Sequence, residues 1–91
     1  MIVVDLTLVE RNIKKLPHYI VEKLFIWAQS IETDGMQVVR MIRGYHDEPL
    51  KGARTGQRSV RLSKSYRVIY TEHKNGNIEI ILVIEVNKHD Y

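Results

Sequence analysis

Residues 50–70 read LKGARTGQRSVRLSKSYRVIY, and this stretch decides how the rest of the chain can fold. Its middle part alternates apolar and polar residues, which is typical of a half-buried β-strand. Val60 and Leu62 point to one side of that strand, while Ser59 and Arg61 point to the other. The stretch therefore predicts a sheet with one buried face and one open face.

The end of the same stretch predicts a partner strand. A turn at Lys64-Ser65 is followed by alternating residues that give the second strand an apolar face. The residues of this apolar face are Tyr66, Val68 and Tyr70. Arg67 and Thr71 share its other face. The two strands should form a rigid hairpin that carries guanidinium groups on its polar side.

This part of the chain is also strongly basic, and residues 49–71 contain no Asp or Glu. Its basic side chains are Lys51, Arg54, Arg58, Arg61, Lys64 and Arg67. Arginine suits phosphate because its planar fork donates two parallel hydrogen bonds and stays charged at physiological pH. Natural surfaces usually intersperse charges of both signs, so this segregation favours an anionic partner over a merely solvated face.

The composition excludes several classes of protein. With 91 residues, of which 44% are hydrophobic, residues 1–91 should form a single globular domain. The chain has no Cys, and its four His show no spacing that would place two metal ligands on one face. We therefore expect no metal site and no cofactor. No apolar run is long enough to span a membrane, and the N-terminus lacks a secretion signal, so a cytoplasmic protein is expected.

The N-terminal third predicts a strand followed by two helices. Residues 2–6 are rich in β-formers, and Thr7-Leu8-Val9-Glu10 fits a capping box for a first helix that ends at Pro17. Apolar residues then repeat at spacings of three and four over residues 18–32, which predicts a second, amphipathic helix. Its apolar positions are Ile20, Leu24, Trp27 and Ile31. We expect Trp27 to be a core residue.

The middle of the chain is less regular. Residues 36–42 could add one or two helical turns, and residues 44–49 are predicted to form a loop. That loop contains His46, Asp47 and Glu48 in succession. Such side chains can act as acids and bases, but in a loop they more often have no chemical role.

The C-terminal third predicts a second hairpin. Asn75-Gly76-Asn77 is a strong turn signal, and the apolar run that follows it, residues 78–87, is expected to be the central strand. Counting by twos assigns the even-numbered residues of this strand to the helix side and the odd-numbered ones, including Glu85 and Asn87, to the open face. The order of elements predicts an α+β fold with two N-terminal helices packed on one face of a small, mainly antiparallel sheet.

Three blocks of sequence, residues 49–62, 66–70 and 86–91, carry a family resemblance. In these blocks the chain resembles the RelE/ParE superfamily of bacterial type II toxins, and within it the HigB-like and RelE/StbE-like mRNA interferases. The size and the order of elements agree, so the resemblance covers nearly the whole chain. It implies a RelE/ParE-like fold and a toxin that cuts mRNA in the ribosomal A site without a metal or cofactor. It also implies a cognate antitoxin that blocks this activity in a hetero-oligomer.

The resemblance implies roles for individual residues as well. Attack of a ribose 2′-OH on the adjacent phosphate needs a base, cations for the phosphate charge and an acid for the leaving oxygen. Arg67 would stabilise the phosphate, Lys51 would contact the substrate, and His89 would be the leading acid–base group. Tyr91 would pack against a base or join the proton transfer. Arg54 and Arg61 would add to the positive field around the phosphate. Together with the basic residues Arg58, Lys64 and Lys88, they form the set that we expect to bind RNA.

Two alternative functions stay open from the sequence. A ParE-like member would poison DNA gyrase instead of cutting RNA, because the same fold hosts both activities. A non-catalytic RNA-binding module would use the arginines for phosphate without any chemistry. The motif itself also departs from some relatives, which have a histidine directly before Pro-Leu-Lys. This chain has Glu48 there, and His46 lies two positions earlier.

Overall fold

The computed structural model describes residues 1–88. Its strands are β1 Ile2–Asp5, β2 Glu48–Pro49, β3 Arg58–Arg61, β4 Tyr66–Asn75 and β5 Ile78–Lys88. Its α-helices are α1 Glu10–Ile13, α2 His18–Asp34 and α3 Met36–Arg40. The strands form one sheet in the order β1-β5-β4-β3-β2, in which only β1 and β5 pair in parallel. This arrangement confirms the predicted α+β fold class. Within residues 1–88, none of the helices is long and apolar enough to cross a membrane.

Helix α2 supplies the centre of the hydrophobic core. Its predicted apolar positions, Ile20, Leu24, Trp27 and Ile31, are all fully buried. They share one cluster with side chains from the sheet, which include Val60, Val68, Tyr70, Val83 and Val86. The ring centroids of Trp27 and Tyr70 lie 5.6 Å apart in a tilted arrangement, which is favourable for aromatic pairs. The prediction that Trp27 is a core residue is confirmed.

The first helix begins differently from the prediction. A 3-10 turn over Thr7–Val9 precedes α1, and within residues 1–88 no side chain caps either segment. The Asp5 Oδ1 atom instead accepts a 2.9 Å hydrogen bond from the Thr7 amide. The predicted capping box is therefore wrong, because an aspartate at the end of β1 reaches the amide two residues on and forms an Asx turn first.

The hairpin predicted at Asn75-Gly76-Asn77 is present. Asn75 pairs with Ile78, so Gly76 and Asn77 form a two-residue turn. Gly76 has a φ of 61°, a left-handed conformation that glycine adopts without steric cost. The prediction that residues 78–87 form the central strand is wrong. The unpredicted strand β2 extends the sheet beyond β3, which leaves β4 at the centre and β5 between β4 and β1.

A β-bulge in β5 changes which of its residues face the core. Consecutive residues Ile69 and Tyr70 of β4 pair with Glu85 and Val83, so Ile84 is the extra residue. The buried residues of β5 are Ile81, Val83 and Val86. The prediction that even-numbered residues face the helices is therefore wrong for residues 78–83, where the odd-numbered Ile81 and Val83 are the buried ones. Beyond the bulge the alternation agrees with the prediction, and Glu85 lies on the open face.

A buried network of charged side chains ties residue 47 to the sheet. The Asp47 carboxylate is only 1% exposed, and it accepts hydrogen bonds from Arg58 Nε at 2.6 Å and from the Tyr70 hydroxyl. Arg40 Nη2 donates to the Tyr70 hydroxyl at 3.3 Å and to Glu72 Oε1 at 2.6 Å. One carboxylate thus joins side chains from α3, β3 and β4. This structural role of Asp47 is absent from the loop prediction.

The Tyr70 hydroxyl predicts how stability depends on alkaline pH. Burial raises the pKa of Tyr70 well above its usual value of 10.0, and the hydrogen bond to Asp47 raises it further. Because the folded chain holds this proton more tightly than the unfolded chain, the stabilisation is complete below about pH 10 and is lost as the pH rises beyond that. Urea titrations from about pH 8 to pH 11 should show a steeper loss of unfolding free energy for the wild type than for Tyr70→Phe. Parallel pH profiles would contradict this expectation.

Candidate nucleic-acid interface

Two arginines lie side by side on the open face of the sheet. Arg61 of β3 is directly opposite Arg67 of β4, which in turn is directly opposite Asn87 of β5. This placement follows from the predicted alternation, since the neighbouring residues Val60 and Val68 are fully buried on the other face. Like charges directly opposite each other on a sheet are destabilising. The pair therefore points to a ligand that supplies negative charge.

The described part of the chain neutralises neither arginine. Among residues 1–88, no acidic side chain lies within salt-bridge distance of Arg61 or Arg67. The Arg67 Nε atom is buried and has no hydrogen-bond partner within the same range of residues. A buried donor without a partner costs about 1–3 kcal/mol. Within residues 1–88, Arg67 thus has both an uncompensated charge and an unpaired donor.

The two arginines share a small pocket with side chains that can move protons. Its volume is about 60 Å³, whereas pockets for drug-sized ligands start at roughly 300 Å³. It is lined by His46, Glu48, Ser59, Arg61, Ser63, Lys64, Tyr66 and Arg67. A depression of this size fits one tetrahedral oxyanion of a longer ligand that runs over the surface.

Strand β2 brings Glu48 to this pocket. Glu48 pairs with Ser59, and Ser59 lies on the same face of β3 as Arg61. His46 adopts a left-handed conformation with φ 46° and lines the same pocket. Asp47, between these two exposed residues, turns its carboxylate into the protein. The loop prediction missed this period-two alternation, although a proline directly after it is compatible with an edge strand.

The neighbouring row of the open face carries an ion pair. Arg54 Nη2 donates to Glu85 Oε1 at 2.6 Å, and Arg54 Nη1 donates to Gln57 Oε1 at 2.8 Å. The second carboxylate oxygen, Glu85 Oε2, accepts a 2.8 Å hydrogen bond from Asn87 Nδ2. A carboxylate therefore neutralises Arg54, whereas residues 1–88 provide none for Arg67.

The other predicted basic residues lie in different places. Lys64 lines the pocket, and Lys51 is exposed where the Gly52–Arg54 3-10 turn begins. Arg58 is separated from the pocket because its guanidinium binds the buried Asp47 on the helix side of the sheet. Lys88 is exposed in a groove between β5 and α1. The structure thus brings together only part of the predicted RNA-binding set.

Two of the predicted catalytic residues, His89 and Tyr91, lie outside the described residues. The last described strand, β5, ends at Lys88. Within residues 1–88, no three His, Asp or Glu side chains are grouped as metal ligands. The pocket itself contains a carboxylate and an imidazole beside two guanidinium groups.

Solved structures of bacterial proteins share this fold. A YoeB/ParE toxin from Agrobacterium tumefaciens matches with a TM-score of 0.68 and 21% identity over 98% of both chains. YafQ from E. coli matches at 0.64 and 14% over 98% of this chain and 92% of that one. A chain of the toxin-antitoxin complex RelBE2 from Mycobacterium tuberculosis matches at 0.63 and 20% over 98% and 96%. No protein-family model and no curated protein matches the sequence. The predicted RelE/ParE-like fold is confirmed.

Proposed function

Because the chain has a RelE/ParE-like fold, we propose that it is the toxin of a type II toxin-antitoxin system and that it cleaves mRNA on the ribosome. The pocket on the open face supports this function, since Arg61 and Arg67 lie there beside Glu48. Two adjacent guanidinium groups fit a phosphate diester. A carboxylate at the same place adds a group that can accept a proton, which phosphate binding alone does not need.

The proposed reaction is the attack of a ribose 2′-OH on the adjacent phosphorus. Glu48 accepts the hydroxyl proton, the 2′ oxygen bonds to phosphorus, and the bond between phosphorus and the 5′ oxygen breaks. Arg61 and Arg67 stabilise the charge that develops on the phosphoryl oxygens. An acid donates a proton to the leaving 5′ oxygen, so the products are a 2′,3′-cyclic phosphate and a 5′-hydroxyl. Protein side chains fill every role, and the step we propose is metal-independent.

Two histidines are candidates for the acid. His89 is the leading one on the family resemblance, and His46 is the second because it lines the pocket together with Glu48. An imidazole can hold and release a proton near neutral pH. In the same proposal Tyr91 assists the proton transfer or stacks on a base, and Lys51 contacts the RNA backbone.

The proposed function includes a cognate antitoxin. One of the chains that share this fold was solved within the toxin-antitoxin complex RelBE2. An inhibitor that covers the pocket would need acidic side chains opposite Arg61 and Arg67, since burying two cations without partners is costly. The alternative is an apolar helix of the antitoxin packed against the helices of this chain. In either case a hetero-oligomer of toxin and antitoxin is the expected resting form.

The role of Glu48 can be tested by an isosteric change. Glu48→Gln removes the proton acceptor and keeps the side-chain shape, so single-turnover cleavage of mRNA on ribosomes should slow about a hundredfold. The free energy of unfolding should change by less than about 0.5 kcal/mol, because the side chain is exposed. Glu79→Gln, on an exposed residue of β5 away from the pocket, is the matched control and should cleave normally. If Glu48→Gln cleaves at the wild-type rate, Glu48 is not the base.

A further inference from the structure

Glu85 is the acidic residue that the sheet places diagonally from Arg67. Arg67 is opposite Asn87, and Glu85 lies two residues earlier on the same face of β5, beyond the bulge. Diagonal neighbours across two strands have Cβ atoms about 7 Å apart, which is within reach of long side chains. A Glu85 carboxylate without other partners would therefore pair with the Arg67 guanidinium and neutralise it.

Both oxygens of Glu85 are instead held by other side chains. Arg54 Nη2 binds Oε1 at 2.6 Å, and Asn87 Nδ2 binds Oε2 at 2.8 Å. Arg54 belongs to the 3-10 turn before β3, and Glu85 lies on β5, two strands away in the sheet. Ile69 of β4 pairs with Glu85 and is fully buried although it lies on the open face.

We propose that Arg54 is a positioning residue that holds Glu85 away from Arg67 and thereby keeps the oxyanion pocket positively charged. Arg67 has no acidic partner within residues 1–88, and its buried Nε atom has no acceptor there. The ion pair between Arg54 and Glu85, which lies in the next row of the sheet, thus preserves the positive charge of the pocket. This inference rests on the proposed function only in taking Arg67 as a ligand of phosphate.

A direct role of Arg54 in binding the anion is the competing explanation. Both explanations expect weaker binding when Arg54 is removed, so the single variant does not separate them. They differ in what Glu85 does in that variant. If Arg54 acts through Glu85, neutralising Glu85 restores binding, whereas a lost direct contact is not restored.

The test is a double-variant cycle on the full chain with ligands that cannot be cleaved. Inorganic phosphate and a short single-stranded DNA oligonucleotide, which lacks the 2′-OH, are titrated against the wild type, Arg54→Ala, and Arg54→Ala with Glu85→Gln. We expect Arg54→Ala to bind both ligands about fivefold more weakly and the double variant to return to within about twofold of the wild type. Arg54→Ala with Glu79→Gln makes the same change in net charge at a distant exposed site, and it should stay weak.

A second measurement reports on Arg67 itself. In the NMR spectrum, the Arg67 Nε–H resonance should shift in Arg54→Ala, because Glu85 then becomes its partner, and should return in the double variant. Arg54→Gln replaces Arg54→Ala if the alanine variant does not fold. A double variant as weak as Arg54→Ala would overturn the proposal, and so would an equal rescue by Glu79→Gln. None of these measurements requires RNA cleavage. If the variants show this coupling but the wild type cuts no RNA, the proposed nuclease function fails and this inference stands.

Discussion

Replacing Arg67 with alanine should slow RNA cleavage by about 10²–10³-fold and leave the fold intact. Arg67 has a buried Nε atom without an acceptor in residues 1–88, and it lies beside Arg61. A guanidinium in this position gains its strongest hydrogen bonds when charge develops on the phosphoryl oxygens. Stability should change by less than about 1 kcal/mol, because the lost packing of the side chain is offset by relief of the repulsion from Arg61.

The matched control for Arg67→Ala is Arg58→Ala. Arg58 is an arginine of the same hairpin, but its guanidinium binds the buried Asp47 and does not reach the pocket. Arg58→Ala should therefore lower stability and leave the cleavage rate of the folded fraction close to that of the wild type. Single-turnover cleavage and urea titration of both variants measure the two properties separately. An Arg67→Ala protein that is merely unstable, with normal cleavage when folded, would remove Arg67 from the proposed reaction.

Replacing Asp47 with alanine should destabilise the fold by about 3 kcal/mol. The carboxylate is 1% exposed and holds Arg58 and the Tyr70 hydroxyl, while Arg40 Nε lies 3.8 Å away. Its removal leaves the partly buried Arg58 guanidinium without a counter-charge, while Arg40 keeps only Glu72 as an acidic partner. The Arg58 side chain is too enclosed to be fully rehydrated. For a chain of this size the midpoint of thermal unfolding should fall by about 15 °C.

Glu48→Ala is the control for Asp47→Ala, since the two residues are adjacent in the chain and carry the same charge. Glu48 is exposed and faces the pocket, so its removal should leave stability within about 0.5 kcal/mol of the wild type while cleavage slows about a hundredfold. The two neighbours should thus show opposite effects in thermal unfolding and in cleavage. Equal losses of stability in both variants would contradict the division of roles between the buried Asp47 and the exposed Glu48.

Regular periodicity explains which parts of the fold could be predicted from the sequence. The spacing of three and four in α2 and the Asn75-Gly76-Asn77 turn are local signals, and both elements form as predicted. The faces of β5 could not be predicted by counting, because one extra residue at Ile84 reverses the alternation partway along the strand. Nothing local marks that bulge, which depends on how β5 pairs with β4.

The residues of the candidate site were likewise predictable only in part. Alternation within the basic hairpin was enough to place Arg61 and Arg67 on the open face. It was not enough to separate Arg58 from them, because the partner of Arg58 is Asp47, a residue outside the hairpin whose burial depends on tertiary packing. Glu48 was assigned from the sequence to a loop without a chemical role for a related reason. Its strand consists of two residues and exists only because it pairs with β3.

Primer extension on a defined mRNA in a purified translation reaction tests the proposed function most directly. The reactions contain the wild type, Arg67→Ala or His89→Gln, each with and without ribosomes. We predict new 5′ ends within the message when ribosomes and the wild-type protein are both present, no new ends without ribosomes, and much fainter ends when either variant replaces the wild type. A message that stays intact with the wild-type protein on ribosomes would contradict the nuclease and favour gyrase inhibition or RNA binding without chemistry.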